Sequence, residues 1–398
     1  MKKKIKYDFL IIGAGFTGSI MALMLASKKL KVALIEKNRN LNISDDRTTA
    51  LSQGTTRILD KIDCWQNLIP FCQPIDQIYV SNRLSNNYLK FDSKRLREGF
   101  LGYIIENKNF RQALNLKIKA SKFIDLYLNE KVTNITQDNI CAISTQKYDF
   151  LASLLILADG RNSSGKDFLG FKYYYKKYNQ NAYIFDILHD QCHNGIALER
   201  FFPEGPLAIL PMLAEKGKNR SSVVWTIDEC YGDFSALSSS HFREEFLQRY
   251  DNFYGGVSIN SKPRKYPLNL IYCYDLFKKN TVVIGDASQG IHPIAGQGFN
   301  LGVRDCNLLL ENIGKCLFLG EDLFSNSFLR NYEKDRYLDR LLFIESTDKL
   351  NKIFSFKNSF FNYMLSLGFI FINQSDILTN FLMKTAMGLA FKNPPDQS

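Results

Sequence analysis

An α/β (α+β) fold follows from three observations in this chain. The apolar run Tyr7–Ile12 meets the turn Gly13-Ala-Gly-Phe-Thr-Gly18, then a helix-forming stretch and a second apolar run ending in Glu36. Residues 75–105 and 181–265 are rich in Tyr, Val, Ile and Thr in alternation, the pattern of an antiparallel sheet. From about residue 297 the chain reads as helix almost to its end. Together they predict a discontinuous Rossmann-like dinucleotide-binding domain (1–74, 100–180 and 266–345). Into it is inserted a β-sheet domain (75–99 and 181–265), and a C-terminal helical region (346–398) follows.

The first element is the most informative. A strand, a GxGxxG turn, a helix and a second strand within about thirty residues form the context in which that motif carries meaning. Gly13 permits the tight turn, Gly15 lets a pyrophosphate approach the backbone, and Gly18 lets helix and strand pack closely. Glu36 stands where an acid binds ribose hydroxyls, which favours FAD or NAD over a 2′-phosphorylated cofactor.

The stretch from Thr48 to about residue 70 reads as helical, with Arg47 just ahead of it. A cation at a helix start is poorly matched to the helix dipole, so Arg47 points to an anionic partner. Lys108–Lys119 reads as a helix, and the strand in "LLILADGRNS" ends at Asp159-Gly160. "TVVIGD" is a strand, and a glycine-rich turn with Gly285, Asp286, His292 and Pro293 leads into a helix from about Gln297.

Composition narrows the class. Of 398 residues 45% are hydrophobic and 23% charged, which supports a globular core. The net charge of +11 is not gathered into a basic and aromatic array, so the chain is not read as a nucleic-acid binder. The eight cysteines show no C-x2-C spacing and there are four histidines, which predicts no metal site and reduced, buried thiols in a cytoplasmic protein. The basic N-terminus runs straight into a strand and reads as no signal peptide. The apolar stretch Phe360–Ile372 is shorter than the ~20 residues of a transmembrane helix and reads as a buried or interfacial helix.

These motifs resemble the class A flavoprotein aromatic hydroxylases, and within them the ubiquinone-biosynthesis ring hydroxylases of the UbiH/UbiF type. The narrower likeness rests on "DDRTTALSQGT", "LGYIIENKNFRQAL", "ALERFFPEGPLAILPM", "HPIAGQGFNLGVRD" and "MKTAMG", which run from the first strand to the last helix. The resemblance implies an FAD cofactor with NAD(P)H as transient reductant. It implies that O2 adds to the reduced flavin to give a C4a-hydroperoxide, which hydroxylates the ring of a polyprenylphenol. It implies that Gly13, Gly15, Gly18 and Glu36 hold the ADP half of FAD, with Val132 against the adenine. Arg47, Arg111, Asp159, Gly160, Gly285 and Asp286 fall to the phosphate, ribityl and nicotinamide region, and Pro293, Gly296, Gly298 and Asn300 to the flavin ring.

No nucleophile–base pair is visible, so no side chain is assigned the chemistry. His292 is the one candidate, and it reads more simply as a loop residue held near the flavin. The lipid substrate and the basic surface imply peripheral contact with the inner face of a membrane, and other quinone-biosynthesis proteins as partners. Two other readings keep the cofactor: a dehydrogenase or prenyl reductase of related fold, and a non-catalytic FAD-binding subunit.

Overall fold

The computed structural model describes residues 2–42, 45–85, 87–96, 98–138, 140–321, 323, 326–354 and 368–389. β1 (Lys3–Ile12) leads into α1 (Phe16–Ser27), and β2 (Val32–Glu36) returns parallel beside β1. Then come β3 (Thr48–Ser52), α2 (Gln53–Asp60), β4 (Gln77–Asn82), β5 (Gly102–Glu106) and α3 (Asn107–Ala120). β6 (Ile124–Leu128) and β7 (Tyr148–Leu157) complete the first half. The long strands β8 (Tyr173–His189), β9 (Ile196–Phe202), β10 (Gly205–Glu215) and β11 (Lys218–Asp228) follow. After α4 (Ser239–Tyr250) come β12 (Arg264–Cys273) and β13 (Thr281–Val283). The chain ends in α5 (Gln297–Phe318), α6 (Ser327–Phe354) and α7 (Asp376–Ala386).

Two large sheets take most of these strands, and β3 and β5 belong to a third, three-stranded sheet. β13, β7, β1, β2 and β6 lie side by side in parallel, with near-continuous apolar runs such as Phe9–Ile12 and Leu154–Leu157 because both faces are covered. α1 is apolar along most of its length and is buried against α5 and α3. The second sheet is mostly antiparallel, in the order β12–β8–β11–β10–β9–β4. α4 covers one face of it, where Phe242, Phe246 and Tyr250 pack on Trp225 and Phe185. The opposite face is left to line the cavity described below.

Of the stretch expected as antiparallel strands over 75–105, β4 pairs parallel with β9 and β5 falls in the three-stranded sheet. The segment Thr48–Ser52 differs more. Thr48–Ser52 is not helical but pairs antiparallel with β5, and helix begins only at Gln53. The reason is partly local and partly distant: Ser52 caps α2, its Oγ accepting from the Thr55 backbone N–H at 3.3 Å, while strand pairing comes from residues about fifty positions away. Arg47 therefore precedes a strand, and the dipole argument for its anionic partner has no basis. Of the apolar stretch 360–372, residues 360–367 lie outside the described residues, and 368–374 are helical.

Candidate cofactor and substrate site

A cavity of about 850 Å³ lies between the carboxyl ends of the parallel strands and the open face of the antiparallel sheet. At one end stand Gly15, Phe16 and Thr17, with Gly160, Arg161 and Asp286 opposite. The segment from Ile291 to Asn300 forms its floor, including Pro293, Gly296 and Gly298. The other end is apolar, built from strand residues such as Ile78, Phe91, Ala208 and Val224. It is closed by Phe369, Ile372, Met383 and Met387 from the C-terminal helices. The closing helix is anchored: the Gly54 N–H donates to the Met387 carbonyl at 2.9 Å, and Gly388 rests against the Arg304 guanidinium.

The glycine turn is built as the motif requires. Gly13 has φ +101, and Gly18 is so close to it that an added Cβ would meet the Gly13 carbonyl oxygen at 1.9 Å. Gly15 caps α1 with no side-chain hydrogen bond and no acid in the first turn, and an added Cβ there would meet nothing within 4 Å. A helix N-terminus thus opens onto free space, an arrangement suited to an anion. Glu36 accepts from the Ala14 N–H at 2.9 Å and from the Asn38 N–H at 3.0 Å, which fixes it at the end of β2 beside the turn. Val132 is buried just beyond residues 129–130, which hydrogen-bond to Asn38 and Glu36, so it lies at the Glu36 end and off the cavity wall.

The cations have clear partners and clear gaps. Arg47 forms a two-pronged pair with Asp45 (2.7 and 2.8 Å) and lies over the Tyr266 ring. Arg111 stacks on Phe16, its charge centre 4.8 Å from the ring centroid, and its Nε is buried with no partner. The Oδ1 of Asp159 is likewise unpaired, and burial raises that carboxyl above its usual range despite a hydrogen bond with Ser163. Buried polar atoms are almost always satisfied. An unpaired guanidinium nitrogen beside an open helix N-terminus fits the phosphates of a dinucleotide.

Some predicted residues serve the scaffold. All of Asn300's polar capacity in view is used: its Oδ1 accepts from the Ser52 N–H (2.9 Å) and the Thr55 hydroxyl (2.8 Å), and its Nδ2 donates to the Ala50 and Gly296 carbonyls. It ties α5 to β3 at the cavity floor. Gly285 sits behind the wall, packed on Thr17, with its N–H donated to Asp305. His292 is fully buried, and its Nδ1 accepts from the Ile294 N–H at 3.3 Å while Nε2 faces the Gln180 amide oxygen at 3.0 Å. Burial, with the Arg161 charge nearby, pushes its pKa down to about 3, so the ring is neutral near pH 7 and its basic nitrogen is engaged. That geometry orients the turn rather than abstracting a proton.

Three features of the site lie outside the residues that the sequence singles out. Arg161 binds the Asp286 carboxylate at 3.0 Å and the Ile291 carbonyl at 3.2 Å, joining both edges of the site; its signal was its place immediately after Asp159-Gly160. Asp305 and Arg336 form a buried ion pair behind the 285–290 turn, and an acid on the apolar face of α5 was the available sign. Glu199 is the one carboxyl on the sheet wall among the described residues, inside the quoted stretch "ALERFF".

A glycine-turn βαβ unit, a set of cationic and helix-end groups that fits a dinucleotide and an adjoining apolar chamber define the class: a dinucleotide-binding protein with a second compartment beside its cofactor site. Residues 6–338 match the family described as FAD binding domain. The chain is 31% identical over 388 residues to ubiquinone hydroxylase UbiL of Rhodospirillum rubrum, covering 96% of this chain and 89% of that protein. It is 25% identical over 394 residues to the 3-demethoxyubiquinol 3-hydroxylase of Escherichia coli K12, with 96% and 98% covered. The fold matches the crystal structure of p-nitrophenol 4-monooxygenase PnpA from Pseudomonas putida DLL-E4, with a TM-score of 0.81 at 16% identity over 98% of this chain and 100% of that one. The chain belongs to the FAD-binding-domain family and, within it, to the ubiquinone-biosynthesis type of FAD-dependent ring hydroxylase.

Proposed function

We propose that the chain hydroxylates the ring of a polyprenylphenol intermediate of ubiquinone biosynthesis, with FAD bound and NAD(P)H and O2 consumed. One observation carries this reading: a single cavity joins a glycine-lined, cation-bearing end to an apolar chamber. The first suits a dinucleotide and the second a prenylated ring. The names of the relatives in Rhodospirillum rubrum and Escherichia coli support the same substrate class.

FAD supplies the redox and oxygen-transfer chemistry when bound. The chain's own groups hold, orient and exclude water. Gly13, Gly15, Gly18, Glu36 and Val132 would take the ADP half. Arg47, Arg111, Gly285 and Asp286 would take the phosphates and ribityl chain, Gly285 by shaping the turn that presents Asp286, and Asp159 and Gly160 would serve both FAD and the nicotinamide. Pro293, Gly296, Gly298 and Asn300 would form the floor under the ring. The N-terminus of α5 would supply a positive helix end beside the flavin ring. The sequence has no second glycine-turn motif, so the nicotinamide would visit rather than reside. Residues 1–74, 100–180 and 266–345 would act as the cofactor unit, 75–99 and 181–265 as the substrate unit, and 346–398 as the closing helices.

We place the protein in the cytoplasm on the inner face of a membrane, beside other quinone-biosynthesis proteins. Among the described residues no helix is long and apolar enough to cross a membrane. The exposed Phe371, Ile377 and Phe381 near the cavity-closing helices support docking on a lipid surface.

Lipid analysis of a strain lacking the chain tests this reading: a prenylated phenol short of one ring hydroxyl should accumulate. Normal quinone levels without such a precursor would contradict it. A second expectation concerns Arg111. Arg111→Met should keep the packing on Phe16 yet weaken FAD binding roughly 10- to 100-fold, the worth of one charge-assisted hydrogen bond. Fluorescence titration of apoprotein with FAD measures it, and unchanged affinity would remove Arg111 from the site.

A further inference from the structure

β9 presents Ala197, Glu199 and Phe201 to the cavity, while Phe202 points into the core beneath α4 and Leu198 packs in that core and also borders the cavity. Glu199 sits in the middle of this wall. Strand register puts Val80 on one side of it and Ala208 on the other, with Val224 and Ile184 next in the row. All four also line the cavity. Among the described residues the Glu199 carboxyl has no hydrogen-bond or ion-pair partner, and the exposure it keeps is to the cavity.

The other titratable side chains on the wall are Arg47, Arg161, Asp286 and His292, all from the cofactor end. None facing Glu199 from β4, β10, β11 or β8 is charged. Burial alone therefore raises its pKa, from 4.5 to about 8. An unpartnered acid in an apolar chamber has a physical cost, and a ligand hydroxyl that enters the chamber faces the same cost unless the two meet. Thr226 is another polar group on this wall, but a hydroxyl is no base near neutral pH. A carboxylate whose pKa lies near the operating pH is well matched to the task.

We propose that Glu199 binds the ring hydroxyl of the substrate and accepts its proton during turnover. This rests on the reading of the chain as a phenol hydroxylase. The phenolic O–H bond breaks, an Oε–H bond forms on Glu199, and the electron pair stays on the ring oxygen. The ring is then a stronger nucleophile toward the incoming oxygen atom. When the new C–O bond has formed and that carbon has released its hydrogen to water as a proton, Glu199 returns its proton to the first oxygen. Glu199 undergoes no redox change, and O2 and NAD(P)H balance the oxidation as in the parent reaction.

The test uses FAD-loaded protein and 2-farnesylphenol in detergent micelles. In the wild type, the hydroxylation rate should rise along a limb near pH 8. In Glu199→Gln that limb should vanish and kcat should fall roughly 100-fold or more. The probe's Kd, read from perturbation of the bound flavin's absorption, should change far less. A variant that keeps limb and rate, or whose whole loss lies in Kd, overturns the proposal.

Folding of the variant is not in question if the sign of its stability change is as expected. The native state holds a proton on Glu199 that the unfolded chain has lost between the usual carboxylate range and about pH 8, so stability falls as pH rises through that window. Glu199→Gln removes the loss and should melt higher than wild type at pH 8. A measurement without any variant is the infrared difference spectrum of wild type with and without the probe. A carboxylic-acid C=O band should shift on binding, and its constancy would overturn the contact. If wild type binds the probe but yields no hydroxylated product, the hydroxylase reading fails, while the infrared band still decides the contact.

Discussion

Gly18→Ala is expected to abolish FAD retention and to destabilise the apoprotein by about 2 kcal/mol or more, the scale of overpacking in a dense core. The added methyl would sit 1.9 Å from the Gly13 carbonyl oxygen, 3.1 Å from its carbon and 3.2 Å from the Ala158 Cβ. None of these is the free end of a flexible side chain. Gly13 cannot move to make room: its own Cβ position lies 2.6 Å from the Ala158 carbonyl oxygen. Relief requires lifting α1 away from β1 and β7, which opens the turn. Gly15→Ala is the informative contrast. Its methyl meets no protein atom within 4 Å, so the fold should be untouched while FAD affinity falls, because only the cofactor competes for that space. Flavin content after purification and the apoprotein's denaturation midpoint separate the two; equal loss of stability in both variants would contradict this account.

Arg336→Met is expected to cost about 3–5 kcal/mol, since it strands a buried carboxylate without its counter-charge. Asp305 is fully buried and accepts from the Arg336 Nε at 2.7 Å, the Gly285 N–H at 2.9 Å, the Gln289 amide at 3.2 Å and the Ser288 hydroxyl at 3.3 Å. Arg336 also pairs with Asp339, and one helical turn on, Arg340 donates to Gln289 and to the Cys273 carbonyl. α6 thus clamps the turn that carries Asp286. A loss of this size is a large share of ordinary domain stability, so holoenzyme yield should collapse as well. Adding Asp305→Asn to Arg336→Met should restore part of the loss by removing the stranded charge. Chemical denaturation of the three proteins reads the result, and a single variant near wild type would show that the pair is not what holds the turn.

The contrast between these two predictions marks what the sequence makes legible. The Gly13–Gly18 turn is local: strand, turn and helix are consecutive, and the contacts between Gly13 and Gly18 span five residues. The parallel and antiparallel layers are legible too, because continuous apolar runs and alternation report burial on two faces or one. The strand at Thr48–Ser52 is not legible, because its pairing partner is β5 and nothing within "TTALS" forces strand over helix. Arg161 is adjacent to a recognised pair of residues, yet its partners Asp286 and Ile291 stand 125 and 130 positions away. Glu199 becomes meaningful only once the register shows which face of β9 meets the cavity. Asn300 illustrates the converse: its place in the glycine-rich stretch was legible, but its ties to Ser52, Thr55 and Ala50 were not.

The central claim is that this cavity brings a flavin and a phenolic ring together so that one atom of O2 enters the ring. Turnover of 2-farnesylphenol by the FAD-loaded protein with NAD(P)H under isotopically heavy O2 tests it most directly, with mass spectrometry of the product. The account predicts one heavy oxygen atom in each new ring hydroxyl and no product in the absence of O2. A hydroxyl oxygen drawn from water, or equal turnover of the phenol without O2, would contradict it.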